Sequence, residues 1–293
     1  MQISRRDFLK VATTSAFAMG LNQLHLTNLD RVLALAPSGK TPVIWLSGSG
    51  CTGCSVSLLN AVNPTIDQVL TDVIDLGYHP NLMAAAGDLA VSSARSMSQA
   101  GGYILVVEGG IPTSAAGQYC YVWSENGRRV TMASAVRSLA AGAQYIVAVG
   151  TCAAYGGIPG AYAPTATKGV GDFLGQSVVN LPGCPAHPDW IIGTLAQVIG
   201  GTVPELDGYG RPKTYYSATV HDQCPRRELE EAHQLGQRGL CMEEIGCRGP
   251  DTFADCPTRK WNNSQSWCIA VNSPCIACTE PSFPSFPLRS NQD

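Results

Sequence analysis

The chain has 293 residues, a formal net charge of −3, 14% charged and 45% hydrophobic residues, and twelve cysteines. That length supports one large domain or two modest ones with ample core. The mildly acidic balance argues against nucleic acid as the main partner, and so few charges suggest a surface covered in part by another subunit.

In chain order, Ser4-Arg5-Arg6-Asp7-Phe8-Leu9-Lys10 fits the twin-arginine export pattern and precedes an apolar run, Val11 to Met19, too short to span a bilayer. Ala34-Leu35-Ala36 resembles a cleavage site, although Pro37 is a poor residue to follow it. Residues 1–36 therefore read as an export signal, whose removal leaves 15 basic against 20 acidic residues. No later apolar stretch reads as a membrane anchor, and the tail from Pro281 to Asp293 is polar and proline-rich. The twin-arginine route carries folded proteins, which suits a chain whose cofactors are inserted before export.

From 41 to 203 short apolar strands alternate with helical patterns. The strands are predicted at Val43–Leu46, Val73–Leu76, Tyr103–Glu108, Tyr145–Val149 and Val178–Leu181. The helices are predicted at Ser55–Val62, Met83–Gln99, Thr131–Ala141 and Asp189–Ile199. This is the pattern of an α/β, doubly wound parallel sheet. After the first strand two signals overlap: Gly48, Gly50 and Gly53 spell G-x-G-x-x-G, while Cys51 and Cys54 spell C-x-x-C. A lone glycine fingerprint is weak evidence for a nucleotide, and here two thiols stand where a pyrophosphate would lie. Cys152 follows the fourth strand and Cys184 the fifth. Strand carboxyl ends share one edge of such a sheet, so these four thiols should converge, as a 4Fe-4S cluster or zinc requires. Cys120 reads as a buried, inert thiol, and His79 and His187 as solvated or capping residues beside prolines.

From 204 to 293 the periodicity fades into prolines and tight turns, with seven cysteines between Cys224 and Cys278. Two quartets can be drawn: His221-x2-Cys224-x16-Cys241-x5-Cys247 and Cys256-x11-Cys268-x6-Cys275-x2-Cys278. Six disulfides are the competing reading in an exported protein. Disulfide scaffolds are usually small, however, and the C-x-x-C pairs suit metal better than separate bridges. A region with so little apolar periodicity is one that internal cofactors would staple.

The motifs CTGCS, TCAAYGGIP, LPGCPAHPDW, HDQCPRREL, GCRGPDTFADCP, KWNNSQSWC and PCIACTEP, in this order, closely resemble the small subunit of nickel–iron hydrogenases. The resemblance implies a flavodoxin-like domain with a proximal cluster, then an iron–sulfur domain with medial and distal clusters. It makes Cys51, Cys54, Cys152 and Cys184 the proximal ligands, and His221, Cys224, Cys241 and Cys247 the distal ones. Cys256, Cys275 and Cys278 match the medial ligands. The common pattern has Pro where this chain has Cys268, and Glu where it has Gly50. Cys268 would complete a medial 4Fe-4S cluster, giving three such clusters, and both departures resemble the nickel–iron–selenium branch. The implied function is electron transfer between the H2 site of a large subunit, nickel–iron or nickel–iron–selenium, and an external acceptor. That makes the enzyme a periplasmic H2:acceptor oxidoreductase. No residue of this chain need act as acid, base or nucleophile on H2; Thr52 and Glu108 are candidate proton relays, with Glu108 read first as a cap for backbone N–H groups. The acids Asp222, Glu228, Glu230, Glu231, Glu243 and Glu244 form either a solvated face or a collar for a basic multihaem c-type cytochrome. Competing readings are a zinc or disulfide protein without redox function, a nucleotide-dependent dehydrogenase subunit, and the related cluster-carrying subunit of respiratory complexes.

Overall fold

The computed structural model describes residues 40–285; the export signal read at 1–36 and the end of the tail, 286–293, lie outside them. Five strands make the central sheet: β1 (Thr41–Ser47), β2 (Ile74–Tyr78), β3 (Tyr103–Glu108), β4 (Ala143–Val149) and β5 (Val179–Leu181). Their order is β2-β1-β3-β4-β5 and every pairing is parallel. This is the flavodoxin-like order, with its switch point between β1 and β3. Each strand overlaps a predicted one, and β3 has the predicted bounds.

The alternation of side chains along the strands divides the core into two layers. Val43, Trp45, Ile104, Val106, Val147 and Val149 point to one face. That face is covered by α1 (Gly53–Leu59) and by a later helix that carries Trp190, Ile191 and Leu195. Ile44, Leu46, Leu105, Val107 and Ala148 point to the other. There α2 (Gly87–Ala100) contributes Ala90, Val91 and Ala94, and α3 (Met132–Ala140) contributes Met132, Ala135, Val136 and Leu139. With both faces covered, β3 is buried along its whole length, hence its unbroken apolar run YILVVE. Beyond β4 comes α4 (Thr151–Tyr155), and beyond β5 the helix carrying Trp190, α5 (Pro188–Ile199).

A hairpin of Tyr121–Glu125 with Arg128–Thr131 lies between β3 and α3. It was absent from the predicted elements. Its turn, Asn126-Gly127, has φ of 49° and 74°, the left-handed pair that a two-residue hairpin demands; that dipeptide was the available signal.

After α5 regular structure is scarce: a helical turn at Lys213–Tyr216, a 3-10 turn at Gly249–Asp251 and α6 (Cys256–Arg259). This region is not a separate apolar body. Tyr215, Tyr216, Val220, Met242, Trp267 and Ile269 continue the core layer that contains Trp190. Among the described residues no helix is long and apolar enough to cross a membrane.

Candidate metal centre

The parallel register brings Ser47, Glu108, Val149 and Leu181 level at the carboxyl edge of the sheet. The loops that leave this edge carry the first four thiols. The β1 and β3 loops lie against each other, with Ser49 N–H donating to Gly110 O at 2.9 Å and Gly110 N–H to Ser49 O at 2.8 Å. A Cβ on Gly48 would stand 2.6 Å from Gly110 O. The first glycine of the fingerprint thus serves a close approach of two loops.

Cys54 is buried at the start of α1. Burial pushes its thiol well up, as do Glu108 and then Cys152 and Cys184, while the Ala186 N–H, 3.5 Å from Sγ, pulls it down. Cys152 is pushed up to about 11 by burial, by Cys184 and, further down, by Cys51. Cys184 is raised by burial and then by Cys51. Cys152 and Cys184 are thus within electrostatic reach of each other, of Cys54 and of Cys51. Gly150, at φ +86°, is what admits Cys54: a Cβ there would sit 2.5 Å from its Sγ.

The second group gathers in the irregular region. Burial pushes the Cys256 thiol well up, and the neighbours that add to it are Cys278, Asp255, Cys275 and Cys268. Cys275 reaches about 11 through burial, opposed by Thr252 and by the Ala277 amide. Cys278 is likewise raised, by burial and by Cys275, and the amide of Cys184 pulls it down. Cys268, exposed, stands beside all three.

In the third group, burial raises Cys247, the amides of Cys275 and Gly249 lower it, and Cys224 and Cys241 raise it further. Cys224 is raised by burial, lowered by the Arg226 N–H at 3.4 Å from its Sγ, and raised by Cys241. A ring nitrogen of His221, the Cys241 sulfur and a Glu243 carboxylate oxygen lie within 4.8 Å of one another. His221 Nε2 is 3.6 Å from that carboxylate.

All twelve cysteines lie in the described residues and none is in a disulfide. Raised thiols hold their protons at neutral pH, so a bound group must displace them with its own positive charge. Two sets of four thiols and one of three thiols with an imidazole are soft donor sets, and backbone N–H groups already point at several of the sulfurs. That combination fits iron–sulfur clusters. Consecutive sets touch: Cys275 N–H donates to Cys247 Sγ at 3.3 Å, and the Cys184 amide meets the Cys278 thiol.

The remaining candidates have other places. Glu108 is 3% exposed. Its carboxylate accepts the amides of Cys54 at 2.9 Å and Ser55 at 3.1 Å, Trp45 Nε1–H at 3.2 Å, and the Ser55 hydroxyl. The capping role read from the sequence is present, from a strand end. Thr52 turns left-handed at φ 63° to start α1, and its side chain makes no capping hydrogen bond. His79 and His187 are buried, not solvated. Both cap: His79 Nδ1 accepts Asn81 N–H at 3.1 Å, and His187 Nδ1 accepts Asp189 N–H at 3.0 Å at the head of α5. Cys120 is half-buried with its thiol raised by burial, away from the three sets.

Three residues near the thiols were not legible as such. Glu243 was counted only with the acidic face. Arg211 is buried between Asp207 and Glu280 and carries no motif; Thr151 opens the motif TCAAYGGIP, which says nothing of the three loops its side chain joins.

The family model described as NADH ubiquinone oxidoreductase, 20 Kd subunit, matches residues 51–198, and the model for the C-terminal part of the NiFe/NiFeSe hydrogenase small subunit matches residues 216–288. The periplasmic [NiFeSe] hydrogenase small subunit of Desulfomicrobium baculatum is 41% identical, over 97% of each chain. The periplasmic [NiFe] hydrogenase small subunit of Solidesulfovibrio fructosivorans is 37% identical over 96% of this chain and 90% of its own. A chain of the H2-activated [NiFeSe]-hydrogenase structure from Dm. baculatum superposes with a TM-score of 0.80 at 44% identity, over 84% of this chain and 96% of that one.

Proposed function

Since the chain belongs to the family of NiFe/NiFeSe hydrogenase small subunits and is the electron-transfer subunit of such an enzyme, we propose that it holds three 4Fe-4S clusters. They would relay electrons between a large-subunit H2 site and an external acceptor. Cys51, Cys54, Cys152 and Cys184 would hold the proximal cluster. Cys256, Cys268, Cys275 and Cys278 would hold the medial one, and His221, Cys224, Cys241 and Cys247 the distal one. When bound, such clusters supply one-electron sites. The protein's own part is to bury or half-bury most of the ligand cysteines and aim N–H groups at several of their sulfurs.

The observation that supports this reading is that thiols assigned to one cluster lie within electrostatic reach of one another, and that His221 and Cys241 bring ligand atoms within 4.8 Å of each other. Cys51 and Cys184 are exposed, and Cys51 is close in sequence to the exposed Val56 and Leu59, which supports a large-subunit face there. The distal set carries an imidazole at partly exposed His221, and histidine ligation raises a cluster's potential. Asp222, Glu228, Glu230 and Glu231 are exposed beside it, which suits a basic multihaem c-type cytochrome as partner. Periplasmic placement by twin-arginine export, and nickel–iron–selenium in the large subunit, are supported by the names of the relatives and by the two departures at Gly50 and Cys268.

Iron analysis of the purified heterodimer tests the reading: three four-iron clusters require about twelve iron per small subunit. EPR of the oxidised enzyme should lack a three-iron signal, and Cys268→Ala should create one. A strong three-iron signal in the intact enzyme would remove Cys268 from the ligand set.

A further inference from the structure

Thr151 opens α4 immediately before Cys152, and its side chain is 1% exposed. A threonine hydroxyl in a helix usually bonds to its own backbone nearby. Here the hydroxyl accepts Gly183 N–H at 2.8 Å, 32 residues away, and donates to the carbonyl oxygen of Cys278, 127 residues away. The Thr151 N–H returns the first contact, donating to Gly183 O at 3.1 Å. One small side chain therefore ties together the Cys152 helix, the loop of Cys184 and the loop of Cys278. These loops carry ligands of two different sets.

The other junction is built differently. Arg248 N–H donates to Cys275 O at 2.8 Å and Cys275 N–H to Cys247 Sγ at 3.3 Å, both from the main chain. A hydroxyl also stands at that junction, Thr252 Oγ1, which donates to Arg248 O and meets the Cys275 sulfur at 3.4 Å. At the first junction one hydroxyl bridges the two loops directly, and the isosteric valine could not replace it but would strand the buried Gly183 N–H and Cys278 C=O.

On the ligand assignment above, we propose that Thr151 is a positioning residue: its hydroxyl locks the medial ligand Cys278 against the proximal loops and thereby sets the coupling between the first two electron sites. The step it positions is an exchange of one electron between neighbouring centres, one oxidised as the other is reduced, with no bond made or broken. The Cys184 amide that meets the Cys278 thiol supplies a second contact held in place by the same clamp.

The test uses the assembled heterodimer carrying Thr151→Val or Thr151→Ser. The valine variant should keep its iron and its H/D exchange at the partner's site, yet reduce an artificial dye about tenfold more slowly, as loss of an outer-shell partner does. Its EPR spectrum should show an altered magnetic splitting between the reduced proximal and medial centres, with the distal signal unchanged. The serine variant, which keeps the hydroxyl, should restore both rate and splitting. A valine variant with wild-type dye reduction and splitting, or a serine variant as impaired as the valine one, overturns the inference. If the valine variant takes up no iron, amide exchange in the wild-type enzyme decides: the Gly183 N–H should be among the slowest to exchange, and rapid exchange there overturns it. Wild-type enzyme without the iron of three clusters would instead overturn the ligand assignment itself.

Discussion

Arg211 and Glu280 form an ion pair, Nη1 to Oε1 at 2.9 Å, with side-chain exposures of 2% and 7%. Arg211 also holds Asp207 through Nε at 2.7 Å and donates to Thr279 O, while Glu280 accepts Phe253 N–H at 2.7 Å. Glu280 stands two residues beyond Cys278, and the pair fastens that loop to the segment after α5. Arg211→Met should cost about 3–5 kcal/mol in denaturant unfolding, because it leaves a buried carboxylate unpaired. Arg211→Met with Glu280→Met should recover a good part of that loss. A double variant no more stable than the single one would show that the arginine acts through packing alone.

Glu108 gathers four donors at the head of α1. Glu108→Ala leaves them buried without an acceptor, at about 1–3 kcal/mol for each group that finds no other partner. The variant should lose several kcal/mol and a share of its proximal iron, while Glu108→Gln, which keeps one oxygen, should lose less. Unfolding curves and iron content check both; equal losses would place the effect in charge instead of hydrogen bonding.

His79 is a neutral ring by its contacts: Nδ1 accepts Asn81 N–H, so Nε2–H faces Ser55 Oγ at 3.2 Å. Burial depresses it from 6.5 to about 4. The unfolded chain therefore binds this proton first, and stability present above pH 6.5 is lost as pH falls towards 4, by up to about 3 kcal/mol. His79→Gln should flatten that part of the stability–pH curve, read from thermal unfolding between pH 7 and 4.5. An unchanged slope would assign the acid sensitivity elsewhere.

Glu243 places a carboxylate 3.6 Å from His221 Nε2. A partly exposed unit charge at about 4 Å is worth about 1 kcal/mol in a watery medium. For a one-electron couple that is on the order of 50 mV. Glu243→Gln should raise the distal potential by about that amount and leave the proximal and medial potentials alone. A redox titration followed by EPR measures it, and an unmoved distal potential would deny the carboxylate any part in tuning.

Much of this was legible along the chain because it depends on local spacing. The apolar runs at Val43–Leu46 and Tyr103–Glu108 announced strands, and a cysteine after the first, fourth and fifth strands had to arrive at one edge once the sheet was parallel. The hairpin at Asn126-Gly127 was legible too, but its strands are short and half-exposed, and their apolar pattern is faint. The acidic residues between Asp222 and Glu244 looked alike in sequence; folding singled out Glu243 by bringing it to His221.

By itself, then, the order of residues determined which chemistry the chain can offer: the sheet, eleven thiols and one imidazole that the proposed assignment divides into three sets, and a twelfth thiol, Cys120, outside them. Only the tertiary structure decided what holds those sets in place. Glu108 meets Cys54 across 54 residues and Thr151 meets Cys278 across 127. Contacts of that range leave no periodic trace along a chain, because hydrogen bonds and ion pairs act over a few ångströms of space whatever the distance in sequence.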